Sequence, residues 1–172
     1  MTKIVSTSAR LLVVLATSLM MVACSQQESG DSVTSESSYF NTSLSVSEIM
    51  LSVLEPASDT LWDNAGWIES AAGYEELYPT TDEGWAFVRA QAAVVAESGN
   101  LLALPGRALD NDAWMIYSQG IVDAGLTAMK AADERNEEDF FQAGATLYSV
   151  CTACHQAYNP DILNAFDEED GQ

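Results

Sequence analysis

Residues 136–160 read NEEDFFQAGATLYSVCTACHQAYNP, and their spacing is that of one amphipathic helix. Asn136 is a good N-cap, and the acidic residues that follow it suit the positive end of a helix dipole. Apolar or small residues then recur every three or four positions as far as Tyr158. Asn159-Pro160 should end the helix, because the residue before a proline avoids helical geometry.

The end of this helix carries the run Cys151-Thr152-Ala153-Cys154-His155. Two cysteines separated by two residues and followed directly by a histidine form the signature of c-type haem attachment. In that chemistry each thiol adds to a vinyl group of the porphyrin, and the histidine becomes an axial ligand of the iron. We therefore predict one covalent haem c, with its iron, bound by Cys151, Cys154 and His155.

Other interpretations of the motif need residues that the sequence does not offer. A zinc site needs about four ligands, and beyond the motif the chain has only Cys24 and no second histidine. A thiol–disulfide active site needs a βαβ setting, and no strand pattern surrounds these cysteines. The residues favour haem attachment over both.

The first of three further helical segments covers residues 44–64. Pro56 lies inside it and cannot donate a backbone hydrogen bond, so it should kink the helix and free the carbonyl of Ser52. The apolar side chains of this segment recur at helical spacing and form one stripe. The stripe consists of Val46, Met50, Val53, Leu54, Ala57 and Leu61.

Two more helices are predicted between this segment and the last one. The second covers residues 82–102, and Thr80-Thr81-Asp82-Glu83 fits a capping box at its start. The third begins after Asp110 or Asn111, either of which can cap it. No segment alternates polar and apolar residues for long enough to predict a sheet. The expected fold is all-α: an up-down-up-down four-helix bundle over residues 43–160, with haem near the C-terminus.

Residues 1–23 combine a basic start with a short apolar stretch and predict a lipoprotein-type signal peptide. Cys24 stands where a lipid would be attached, although plain cleavage after Ala23 would leave it as a free thiol. Residues 24–42 are polar and predict a flexible tether, and residues 161–172 form an acidic tail. These features predict a protein of the bacterial periplasm that meets the membrane only through a lipid anchor at Cys24.

The chain is strongly acidic, with 26 acidic against 6 basic residues and a net charge of −20 at pH 7. Lys3 and Arg10 would leave with the signal peptide, which makes the remainder more acidic still. We therefore expect neither nucleic acid nor anionic lipid surfaces as partners. A redox partner protein with a basic docking surface fits this charge. Solubility, or adaptation to a salty medium, explains the charge equally well.

A haem motif near the C-terminus, on the last of four helices, resembles the class II c-type cytochromes, which comprise cytochrome c′ and its low-spin relatives. The resemblance covers about residues 43–160 and implies a four-helix bundle that is often a homodimer. This sequence departs from the family at Asn159-Pro160 and at Val46, where a basic residue is common. The matching segments are Ala131-Ala132-Asp133, Cys151 to Tyr158, and the first helix with Met50 and Pro56.

The second axial ligand of the iron decides between two functions. Met50 matches the position of the methionine ligand in low-spin members of the family. In the expected bundle Met50 lies roughly 9 Å and His155 roughly 5 Å from the same end, so both can face one haem. Met115 is a rival ligand, and Met50 can also be read as an ordinary core methionine.

Iron bound by His155 and Met50 would cycle between Fe(II) and Fe(III) without binding a substrate, which is electron transfer. An open distal position would instead make the protein a five-coordinate binder of NO or CO, as in cytochrome c′. A peroxidase needs a distal acid–base residue, and the chain has no second histidine to supply one. We therefore expect no enzymatic activity.

Three further groups of residues are candidates for contact with the haem. Tyr158 lies one turn beyond the motif and should pack against the porphyrin. Arg107 is open to two interpretations, a partner of a haem propionate or a solvated loop residue. The tryptophans fit a helical core better than haem stacking, and they are Trp62, Trp67, Trp85 and Trp114.

Overall fold

A computed structural model describes residues 39–161 of the chain. The predicted signal peptide, Cys24, most of the predicted tether and most of the acidic tail lie outside these residues. The described part is mostly helical, with four helices and one small sheet of two strands. Within it, no helix is both long enough and apolar enough to cross a membrane.

The four predicted helices are present. Helix α1 consists of three consecutive segments, which are Val46–Ile49, the π-helical Met50–Leu54, and Glu55–Asp63. The other helices are α2 (Asp82–Leu102), α3 (Ala113–Glu134) and α4 (Glu137–Tyr158). Strands β1 (Trp67–Ser70) and β2 (Gly73–Glu76) lie between α1 and α2.

The interruption predicted in α1 takes the form of a π-helical turn. The N–H of Glu55 donates to the carbonyl of Met50, five residues back, just before Pro56. A proline has no N–H to give to the helical ladder, and π-turns commonly relieve such a mismatch. Ser58 then donates its hydroxyl to the Leu54 carbonyl at 2.8 Å and satisfies one acceptor beside the interruption.

The start of α2 corrects one prediction. Thr81 is the N-cap, and its hydroxyl accepts a hydrogen bond from the N–H of Gly84 at 3.0 Å. The predicted capping box of Thr80 and Glu83 is therefore wrong, because the third helical residue is a glycine without a carboxylate. A capping box does start α1, where the N–H of Ser45 donates to Glu48 at 2.8 Å.

Of two other predicted caps, the one at α4 is confirmed and the one at α3 is wrong. The side chain of Asn136 accepts from the N–H of Asp139 at 3.1 Å at the start of α4. At the start of α3, Asp110 accepts from the N–H of Asp112 at 2.8 Å and from that of Trp114 at 3.1 Å. The N-cap is nevertheless Asp112, whose own side chain makes no capping hydrogen bond, so neither Asp110 nor Asn111 is the predicted cap. The Asp110 carboxylate still satisfies one of the first helical donors, the N–H of Trp114.

The small sheet was not predicted. Strands β1 and β2 pair as an antiparallel hairpin in which Ser70 lies opposite Gly73. Every residue of both strands is exposed, so no alternation of apolar and polar residues marks them in the sequence. The ring of Trp67 stacks on that of Phe141 in α4, with centroids 6.1 Å apart.

The hydrophobic core draws side chains from all four helices. The stripe predicted for α1 supplies Leu54, Ala57 and Leu61 to it. Arg89 near the start of α2 pairs with Asp133 at the end of α3 at 2.6 Å, so these two helices run in opposite directions. Core residues of the later helices include Val88, Ala92, Val95, Ile121, Ala128, Phe140 and Leu147.

Helices α2 and α3 approach each other closely at Gly125. A β-carbon at this position would lie 2.5 Å from the backbone nitrogen of Ala96 and 2.8 Å from the carbonyl oxygen of Ala92. Backbone atoms cannot yield as a flexible side chain does. The contact therefore requires a glycine, which the helical period of the sequence does not reveal.

Replacing Gly125 with alanine should destabilise the protein by roughly 1–3 kcal/mol, because the added methyl forces the two backbones apart. Urea denaturation followed by circular dichroism measures this change in the free energy of unfolding. Gly120→Ala in the same helix is the matched control. Its β-carbon would meet only the Val150 side chain, at 3.2 Å, so its effect should stay below about 1 kcal/mol. Equal effects of the two substitutions would contradict the close approach.

Candidate haem-attachment site

The last turns of α4 carry the three residues of the haem motif. Cys151 and Cys154 are three positions apart, which places both thiols on one side of the helix. Cys154 is 6% exposed and Cys151 is partly buried, and neither forms a disulfide. His155 is partly exposed, like Cys151, so only Cys154 of the three motif residues is fully buried.

Both thiols are held in their protonated form at neutral pH. Burial raises the pKa of Cys151 to about 11, and the neighbouring Cys154 adds to the effect. Burial likewise raises the pKa of Cys154. A thiol–disulfide active site requires a lowered thiol pKa, so these cysteines lack the property that such an enzyme uses.

Tyr158 fastens the end of α4 to the start of α3. Its hydroxyl donates a hydrogen bond to the carboxylate of Asp110. Its ring meets those of Trp114 and Tyr117 edge-on, with centroids 5.1 and 6.3 Å away. The N–H of Asn159 donates to the carbonyl of His155 at 2.8 Å and closes the last turn. The orientation of the motif is therefore set by contacts with α3.

Asp110 and Tyr158 shift each other's pKa through this hydrogen bond. The Tyr158 hydroxyl, with help from the backbone N–H of Asp112, lowers the pKa of the Asp110 carboxyl. The same hydrogen bond is the main cause that raises the pKa of Tyr158 to about 12. From the sequence, Asp110 was predicted only as a helix cap. Its partner Tyr158 is 48 positions away, and no local pattern indicates a contact over that distance.

The two candidate methionines both lie against the core. Met50 opens the π-helical segment of α1 and is partly buried. Helix α4 contacts α1 chiefly through the segment Glu55–Asp63. Met115, on α3, is also partly buried and lines a shallow surface groove of about 640 Å³ together with Ile116 and Gly120. The cysteines of the motif and His155 do not line this groove.

The four tryptophans differ in how deeply they are buried. Trp85 and Trp114 are buried in the core, as the sequence predicts. Trp62 is partly buried and donates its indole N–H to the Gly144 carbonyl at 3.0 Å. Trp67 is 56% exposed, so its assignment to the core is wrong. It belongs to the hairpin, which the helical interpretation of the sequence did not include.

Arg107 is buried, with only 7% of its surface exposed. The interpretation of this residue as a solvated loop arginine is therefore wrong. It lies in the connection between α2 and α3 and donates to the Leu101 carbonyl at 2.6 Å. Its Nε atom is buried and has no hydrogen-bond partner among residues 39–161.

The chemistry of the described residues fits a haem group. The motif supplies two protonated thiols and an accessible imidazole, and Arg107 supplies a buried cation with an unused donor. Within residues 39–161, no three or more His, Cys, Asp or Glu side chains form a metal-binding cluster. A haem iron needs only one or two protein ligands, because the porphyrin supplies the others.

Comparison of the chain with known protein families, with curated proteins and with solved structures finds no match. The interpretation of the site therefore depends on its own residues and their contacts. Those contacts are the ones that join the end of α4 to the start of α3.

Replacing Asp110 with asparagine should lower the pKa of Tyr158 from about 12 towards the ordinary value of about 10. Tyr158 keeps its proton to a higher pH in the folded protein than in the unfolded one. The free energy of unfolding therefore has its full value below about pH 10 and falls as the pH rises from about 10 to about 12. In the Asp110→Asn variant, the free energy of unfolding should therefore fall less between these two pH values. A pH titration of the ring carbons by NMR measures the pKa.

Asp123→Asn is the matched control for this titration, because Asp123 lies on α3 and bonds to Gln119 rather than to Tyr158. It should leave the pKa of Tyr158 unchanged. An unchanged pKa in the Asp110 variant as well would show that the hydrogen bond is absent in solution.

Proposed function

We propose that the chain is a mono-haem c-type cytochrome that transfers electrons in the bacterial periplasm. The observation that carries the proposal is the motif Cys151-Thr152-Ala153-Cys154-His155, presented at the end of the last helix. Its thiols share one side of the helix, and its histidine is the only one in the chain. The proposal includes no enzymatic activity.

The arrangement of the helices supports the finer proposal of an up-down-up-down bundle like that of the class II c-type cytochromes. Helix α2 starts beside the end of α3, as the ion pair of Arg89 and Asp133 shows. Helix α4 ends beside the start of α3, where Tyr158 reaches Asp110. In such a bundle the cofactor lies among facing helices.

Each residue of the site has a defined task in this proposal. When bound, the haem supplies one-electron chemistry at its iron. Cys151 and Cys154 hold the group covalently, and His155 provides an axial ligand. Tyr158, held by Asp110, fixes the turn that orients the imidazole.

The acidic surface supports exchange of electrons with a basic redox partner. Apart from Arg107, the Lys and Arg side chains of the described residues already form ion pairs. Lys130 pairs with Glu134, and Arg135 pairs with Asp82. Most of the acidic side chains therefore contribute uncompensated negative charge to the surface. Such a field speeds the encounter with a positive partner and weakens as salt is added. A lipid anchor at Cys24 would keep this exchange at a membrane.

A second candidate function is the binding of NO or CO at an open distal position. One observation favours it: α4 contacts α1 chiefly through Glu55–Asp63, whereas Met50 lies in the preceding segment and packs on the core. With Met50 away from the iron, small neutral ligands would have access to the sixth position. The proposed electron carrier has Met50 as its second axial ligand, so this residue separates the two functions.

Protein produced in a host that attaches haem c should carry the added mass of one haem. Intact-mass spectrometry after denaturation measures it. The double substitution Cys151→Ala and Cys154→Ala should remove the added mass completely, because no thioether bond can then form. Cys24→Ala is the control and should keep the haem. The bare polypeptide mass for the unsubstituted protein would contradict the proposed function.

Met50→Ala should abolish the weak long-wavelength absorption band that an iron–methionine bond gives in the ferric protein. It should also lower the midpoint potential, because methionine ligation raises it. Met115→Ala is the matched control and should change neither property. A high-spin spectrum that responds to CO before any substitution would instead favour the gas-binding function.

A further inference from the structure

The guanidinium of Arg107 is a buried cation without a counter-charge. Its side chain is 7% exposed, and no carboxylate of residues 39–161 forms an ion pair with it. A buried ion that lacks a partner costs several kcal/mol, so such groups are normally paired. We therefore expect the anion that pairs with Arg107 to come from outside residues 39–161.

One edge of the Arg107 guanidinium carries Nε, which has no hydrogen-bond partner among residues 39–161, and Nη2. Nη1 is well satisfied by the Leu101 carbonyl at 2.6 Å. Nη2 makes only a long contact of 3.4 Å with the Leu44 carbonyl, and Nε has no partner in the described part of the chain. Nε and Nη2 together form the flat edge that binds a carboxylate through two parallel hydrogen bonds.

A chain of contacts connects this edge to the haem motif. Arg107 holds the carbonyl of Leu101, and the next carbonyl, that of Leu102, accepts the indole N–H of Trp114 at 2.9 Å. The ring of Trp114 packs against that of Tyr158, three residues after His155. Arg107 thus lies at the end of the molecule where α4 presents its cysteines.

We propose that Arg107 binds a propionate carboxylate of the haem through its Nε and Nη2 edge. This inference rests on the proposed function, because the haem is the source of the carboxylate. Arg107 would act as a positioning residue: it would hold one carboxylate of the bound group and offset its negative charge. The acidic tail, residues 161–172, follows α4 in the sequence and is the other source of a carboxylate.

The test uses holoprotein whose haem propionates carry ¹³C, introduced with δ-aminolevulinate labelled at its carboxyl carbon. Infrared difference spectra between the oxidised and reduced protein then separate propionate bands from all protein carboxylates. Arg107→Gln should shift the labelled carboxylate band and lower the midpoint potential, since a positive charge near the iron is lost. Arg107→Lys should shift the band less. Arg89→Gln removes an equal charge from an exposed pair and should leave the band in place.

The outcomes separate the possible partners of Arg107. A labelled band that stays in place in Arg107→Gln, while unlabelled carboxylate bands move, would assign the arginine to the acidic tail and overturn the inference. If the glutamine variant does not accumulate, the lysine variant decides, because it must still move the labelled band. Protein without any haem would overturn the proposed function itself. Haem that is present with an unmoved band overturns only the role of Arg107.

Discussion

The hydrogen bond from Tyr158 to Asp110 is the contact on which the geometry of the site depends. The same carboxylate accepts the backbone N–H groups of Asp112 and Trp114, so it both starts α3 and anchors the end of α4. The end of a helix frays when nothing holds it. Here the last turn of α4 is fixed from outside, and the orientation of His155 is fixed with it. A ligand that must meet a metal in one geometry needs such support.

Charge is the second constraint on this end of the molecule. The chain is strongly acidic, yet it buries one of its few arginines beside the connection from α2 to α3. Arg107 donates to two backbone carbonyls, and its Nε has no partner within residues 39–161. An acidic surface together with a buried cation suits a negatively charged cofactor edge inside and a positively charged partner outside. The proposed cytochrome makes use of both.

Much of the fold follows from local sequence. The helical period, the Asn136 cap and the stop at Asn159-Pro160 predict the last helix nearly to the residue, because each acts within a few positions. The capping box at Thr80 was wrong because two adjacent threonines offer the same chemistry, and only the folded chain selects Thr81. The hairpin was missed because both of its faces are exposed, which leaves no alternation to detect.

The sequence by itself determined the helices and the Cys-x-x-Cys-His motif, since spacing along the chain defines both a motif and an amphipathic stripe. Tertiary structure alone decided that Asp110 meets Tyr158 and that Arg107 is buried. It also placed the backbones of α2 and α3 against each other at Gly125. These features join residues far apart in the chain. Contacts of that kind depend on how helices pack, and the periodicity of a single helix carries no record of its neighbour.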